Sequence, residues 1–196
     1  MPLRERISTD EVNALPMRAY EGEIVLIDSL EQVDKAVTEI EQYNIVGFDT
    51  ESRPAFKKGE SYPVSLLQFA TPKKVYLFRV NLIGMPPAVN RLLSNPDLIK
   101  LGIALHDDIK DLRRLGVSNP QGYQDIHSFI KDKGVINTGL RKLAAMILGF
   151  RISKSQQTSN WENTVLNERQ QTYAATDAWV CLKIYEKLKE LGLISS

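Results

Sequence analysis

Apolar and polar positions follow two different periods along this chain, and the switches between them mark out its elements. Residues 23–27, EIVLI, form a short β-branched and aliphatic run, and Ser29 then opens a stretch in which Leu30, Val33, Val37 and Ile40 recur at helical spacing. A strand followed by a helix is predicted. Residues 45–51, 64–70 and 75–78 read as three consecutive strands, with turn chemistry at Thr71, Pro72, Lys73 and Lys74, the pattern of an antiparallel meander. A helix over 87–93 ends near Asn95 and Pro96, and the near-continuous apolar run 99–105 suits a strand covered on both faces. The remainder is mostly helical. Helices are predicted over 108–115, 139–148 and 167–191, the last with Asn167 as N-cap and Gly192 as terminator, and a short extended piece over 123–126 is a candidate further strand.

Strands first and helices later describe an α/β domain with a partly antiparallel sheet. Residues 1–22 are polar and irregular apart from a short helical stretch after Ser8 and Thr9 that Pro16 stops, so they are read as an arm packed on a domain of residues 23–196. A chain of 196 residues with 43% hydrophobic content builds one sizeable core. Charge excludes one partnership: 25 Lys and Arg stand against 24 Asp and Glu, so affinity for a polyanion has to be local. Cys181 is the single cysteine, which excludes a disulfide framework and a thiolate metal cage and fits a reducing compartment. The N-terminal MPLRERISTDEV lacks the apolar core of a signal peptide, and no stretch approaches the ~20 apolar residues that cross a bilayer. A cytoplasmic protein with no membrane partner is expected.

Three acidic sites interrupt this pattern. In Ile45-Val-Gly-Phe-Asp-Thr-Glu51 the strand is apolar to its end and then carries two acids one residue apart, so Asp49 and Glu51 project from the same face. Carboxylates that close repel unless a positive charge lies between them, and an all-oxygen pair suits a hard cation such as Mg²⁺ or Mn²⁺. A solvated strand end is the plain alternative. The second site is the strand-to-helix junction around His106-Asp-Asp-Ile-Lys-Asp-Leu112, where Asp108 falls in the first helical turn with Ile109, Leu112 and Leu115 toward the core. An acid there is also what a helix dipole favours, and Asp107 competes for the same role. In the last helix Tyr173 and Asp177 share a face with small alanines between them, and Ile184 and Leu188 continue the stripe. A carboxylate on an apolar face needs compensation, from a metal or from an Arg elsewhere in the fold.

Together, GFDTES at 47–52, the helix start at Asp108 and YAATDA at 173–178 resemble the three motifs of the DEDD exonuclease superfamily. The run Ser159-Asn-Trp161-Glu162 followed by ERQQTYAATD at 168–177 is similar to the ribonuclease D and Werner-type branch, and the likeness covers roughly residues 25–190. It implies a ribonuclease H-like fold, a mixed five-stranded sheet flanked by helices. Carried across, Asp49 and Glu51 fall in the first motif, Asp108 in the second, and Tyr173 with Asp177 in the third. Position 172 is Thr and position 173 is Tyr, which implies the tyrosine branch and argues against His106 or His127 as a base. Asp108 matches better than Asp107 because Ile109, Lys110 and Leu112 follow it in the expected order, although Asp107 itself departs from the small residue usual there.

The resemblance implies removal of nucleotides from a DNA or RNA 3′ end by two divalent cations, Mg²⁺ or Mn²⁺, held by Asp49, Glu51, Asp108 and Asp177, with Tyr173 orienting the attacking water. Strand contacts are expected from Arg53, Phe56 and Lys57 after the first motif and from Lys154 and Trp161 before the third. The likeness around Trp161 leans toward DNA. Near-neutral charge points to modest affinity or to delivery by a protein partner, and the competing expectation is a scaffold or nucleic-acid-binding protein that keeps the fold with weak catalysis.

Overall fold

A computed structural model describes residues 3–136 and 139–194, so the outermost residues of the arm and of the domain lie outside the described residues. In chain order the elements are α1 (Thr9–Ala14), β1 (Glu23–Ile27), α2 (Leu30–Ile40), β2 (Ile45–Ser52), β3 (Val64–Ala70), β4 (Lys74–Phe78), α3 (Val80–Ile83) and α4 (Pro87–Ser94). They continue with β5 (Ile99–Gly102), α5 (His106–Arg114), β6 (Tyr123–Asp125), α6 (Ile126–Ile130), α7 (Leu140–Leu143) and α8 (Glu168–Glu190). Helix α7 widens into a π-helical turn over Ala144–Leu148, which Gly149 ends at φ 75°.

The sheet has the order β1-β4-β3-β2-β5-β6, antiparallel at β2·β3 and β3·β4 and parallel elsewhere. It is six-stranded, which corrects the five-stranded expectation: the extended piece at Tyr123–Asp125 pairs with β5 as an edge strand of three residues. Strand β5 also stops earlier than its apolar run. The chain turns at Ala104, whose φ of 56° no strand accommodates, and α5 begins two residues later.

Alternation along the central strands sends side chains to two cores. Val46, Phe48, Leu67, Phe69, Tyr76 and Phe78 face α2 and α4, whereas Leu66, Ala70, Val75 and Leu77 face Ala174, Ala175 and Ala178 of α8. Helix α8 lies across the sheet at backbone distance. A Cβ built on Gly47 would stand 1.9 Å from the Ala178 carbonyl oxygen, so glycine is what permits β2 and α8 to touch. The Asn167 side chain accepts from Gln170 N, and the Gln170 side chain accepts in return from Asn167 N, which fixes where α8 starts. Lys100, wholly buried in β5, donates to the carbonyls of Asn95 and Leu98 at 2.9 Å and of Leu92 at 3.3 Å, tying the end of α4 to the sheet. Among the described residues no helix is long and apolar enough to cross a membrane.

Candidate active site

The three acidic sites meet where β2 passes under α8. Asp49 and Glu51 lie on the same side of β2 as Gly47, the side that α8 covers, and Asp177 on α8 is buried to 7% exposure. Helix α5 brings Asp108 to the same end of β2, where the Thr50 hydroxyl donates to its carboxylate at 2.5 Å. Asp107 is exposed, one position earlier on the turn.

Their electrostatics are those of acids forced together. Burial first, and then the charges of Asp177 and Asp108, push Asp49 well above the usual carboxylate range, although Thr50 N donates to it. Glu51 is raised by burial and then by Asp49, Asp177 and Asp108. Burial alone raises Asp177 to about 7, against the Tyr173 hydroxyl, which acts as its donor. Asp108 is raised by burial while the Thr50 hydrogen bond opposes the shift. Among the ion pairs of the described residues none involves Asp49, Glu51, Asp108 or Asp177, so the alternative of an arginine partner for Asp177 is not realised. Tyr173 is held protonated by burial and by the neighbouring Asp177 and Glu51, which makes its hydroxyl a donor and not a base.

This donor set fits a hard divalent cation: carboxylate oxygens only, mutually repelling and without a cationic side chain to offset them. Among the described residues no group of three or more His, Cys, Asp or Glu side chains is placed closely enough to hold a metal ion. Asp49, Tyr173 and Asp177 open onto a cavity of about 480 Å³, which Ile103, Lys154 and Arg141 also line.

The expected strand-contacting residues divide. Lys154 lines the cavity, whereas Arg53, Phe56 and Lys57 lie on the loop after β2 and do not. Arg53 reaches Glu162 at 3.4 Å and stacks over Tyr62 at 4.7 Å, Lys57 approaches Glu60 at 3.9 Å, and Phe56 is 80% exposed. Trp161 is a correction. It is 0% exposed, its ring centroid lies 6.0 Å from that of Tyr173, and it packs beneath α8 with Leu66, Leu77 and Leu166, so it supports the tyrosine from behind and offers no surface to a base. Its segment carries no helical or strand period, which is why its burial was invisible in the pattern. Two contacts had not been foreseen. Thr50 alternates away from Asp49 and Glu51 yet holds Asp108 across 58 residues of chain, and Thr9 of the arm lines the cavity. Neither contact has a local signature.

The sequence model of the 3′-5′ exonuclease family matches residues 24–192. The bifunctional 3′-5′ exonuclease/ATP-dependent helicase WRN of Mus musculus is 34% identical over 162 residues, covering 76% of this chain and 11% of that protein. The exonuclease mut-7 homolog of Homo sapiens is 32% identical over 177 residues, covering 74% and 20% respectively, so the chain spans at most a fifth of the length of these relatives. In fold it is similar to the Nibbler EXO domain of Aedes aegypti, with a TM-score of 0.79 at 24% identity over 89% of this chain and 94% of that one. Escherichia coli RNase D gives a TM-score of 0.75 at 19% identity over 88% and 47%. The fold is therefore that of the ribonuclease H-like exonuclease domains, and with the family model matched over most of its length the chain belongs to the 3′-5′ exonuclease family.

Proposed function

We propose that the chain hydrolyses phosphodiester bonds from the 3′ end of a nucleic acid with the help of two divalent cations, Mg²⁺ or Mn²⁺, as a member of the tyrosine branch. The observation that carries this reading is the mutual electrostatic pressure of Asp49, Glu51, Asp108 and Asp177, brought from three distant segments to one unneutralised place beside a cavity. These four carboxylates would hold the cations. When bound, such ions supply relief of the negative charge that grows on the scissile phosphate and acidify the attacking water.

The protein's own groups do the rest. Tyr173, protonated and giving its one hydroxyl proton to Asp177, orients the water by accepting a hydrogen bond from it, and it does not take the proton. Thr50 keeps the Asp108 carboxylate turned toward the others. Lys154, on the cavity wall, supplies a positive charge for the strand. The DNA preference read around Trp161 loses its support, because that residue is core and reads no sugar. Both substrates therefore belong in the test. A 5′-labelled single-stranded RNA, the matching DNA and a 3′-recessed duplex are incubated with Mg²⁺, Mn²⁺ or chelator. The expected result is a metal-dependent ladder of products shortened from the 3′ end. Binding without shortening would favour the scaffold reading instead.

A further inference from the structure

The N-terminal arm precedes the residues that the family model matches, yet it runs to the carboxylates. Its path is fixed by backbone bonds: Arg151 N donates to Pro16 O at 3.0 Å, Arg18 N to Arg151 O at 2.9 Å and Ile136 N to Glu5 O at 3.2 Å. Arg151 Nε donates to Leu15 O at 3.0 Å, and Tyr20 N donates to Thr176 Oγ1 at 3.0 Å, one residue from Asp177. Ile7 and Val12 bury themselves against Ala145. An arm anchored this way is a wall of the site.

Behind that wall lies a second cavity of about 250 Å³, between Arg18 and the first turns of α8, and it shares Ser153, Tyr173 and Asp177 with the larger one. Arg18 and Arg169 both line it, and neither guanidinium has an ion-pair or hydrogen-bond partner among the described residues, although Glu168 lies on the same lining. Both side chains are exposed at the cavity mouth, where two guanidinia can close on one anion. Ser153 Oγ donates to Ser155 Oγ at 2.9 Å, which leaves the Ser155 proton free for an acceptor. Paired guanidinia and a hydroxyl are the donor set of a phosphate site. The volume accommodates a sugar and its phosphate.

We propose that this cavity binds the phosphate next to the scissile linkage of a single strand, gripped by Arg18 and Arg169, which makes the N-terminal arm a substrate-binding element. The assignment rests on the exonuclease reading of the adjacent carboxylates. It places the strand's backbone on the α8 side of Tyr173, beside the group that orients the reaction.

The test compares the whole chain with R18A/R169A and with R91A, whose side chain pairs with Glu41 far from the site. Binding of a labelled single-stranded oligonucleotide is followed by anisotropy in Ca²⁺ over a range of salt, and turnover is measured in Mn²⁺. For R18A/R169A the expected result is a tenfold or greater rise in Kd and KM, kcat within about twofold of the parent, and a salt slope shallower by about 0.7, the value for one phosphate contact on a single strand. R18K/R169K keeps the charge and is expected to keep the slope while losing part of the affinity. Unchanged Kd and slope in R18A/R169A overturn the proposal. So does a rise confined to the inhibition constant of a nucleoside 5′-monophosphate with KM intact, which would make the cavity a product site. If the parent binds the strand but releases no nucleotide, the exonuclease reading fails by itself, and the anisotropy still decides the cavity.

Discussion

Replacing Gly47 by alanine tests the contact on which the site's geometry stands. The added Cβ would lie 1.9 Å from the Ala178 carbonyl oxygen, 2.9 Å from its carbonyl carbon and 3.1 Å from Leu182 N. All three are α8 backbone atoms, so no side chain can swing aside. Reaching the 3.0 Å below which real Cβ atoms essentially never come requires β2 and α8 to part by about 1 Å. Overpacking of that kind costs about 1–3 kcal/mol, which for a domain of this size lowers Tm by roughly 2–12 °C. The same displacement separates Asp49, two residues along β2, from Asp177, one residue before Ala178, and a misplacement of 1 Å can cost on the order of 10²-fold in rate. G47A is therefore expected to lose activity beyond what its lowered stability explains, with Tm taken from a thermal melt and kcat measured 15–20 °C below it, a margin set by that ~12 °C upper bound. A G47A protein with the parent's Tm and the parent's kcat would refute backbone contact between β2 and α8.

Other expected outcomes follow from the same geometry. D108N is expected to lower kcat by on the order of 10²-fold while D107N, at an exposed position, stays near the parent; equal effects would reassign the second motif. Gln68, opposite Asp49 in the register, has both amide atoms buried without a partner, and Q68L is expected to melt at the same temperature or higher, since an orphaned buried amide costs about 1–3 kcal/mol. A clear drop in Tm would mean that the amide is satisfied. The raised carboxylates set a pH dependence. Their folded pKa values exceed the unfolded ones, so the folded protein retains protons that the unfolded chain gives up, and stability falls as pH rises from the ordinary carboxylate range, through about 7 for Asp177 and on toward about 10 for Glu51. A divalent cation relieves that loss, so the Tm gained on adding Mn²⁺ is expected to be larger at pH 8 than at pH 5; a gain independent of pH would contradict it.

The elements with strong periods were readable in advance. Helix α8 was legible almost to its ends because Asn167 and Gln170 cap it reciprocally and Gly192 stops it. The meander was legible because β3 and β4 are mostly apolar runs and the Thr71–Lys74 turn separates them. Edge strand β6 has three residues, too few to show a period, and it exists because β5 needs a partner. The overrun of β5 has the opposite cause: Ile103 and Leu105 are apolar enough for a strand, but the backbone reverses at Ala104 to launch α5.

At the site the identity of the acids was visible and their meeting was not. That Asp49 and Glu51 share a face follows from alternation, and that Tyr173 and Asp177 do follows from helical geometry, but nothing local brings β2 to α8 except the missing side chain at Gly47. The resemblance supplied the convergence. It could not supply the arm, which packs through backbone bonds that leave no mark on residue type, or the inward turn of Trp161.

The most direct measurement is an anomalous difference map from crystals grown with Mn²⁺ and a nucleoside 5′-monophosphate. Density for manganese within coordination distance of Asp49, and touching Glu51 or Asp177, is the predicted result, with Asp108 near a second peak. Crystals at saturating Mn²⁺ in which no ion binds Asp49, or in which an ordered lysine or arginine fills that place, would contradict the account.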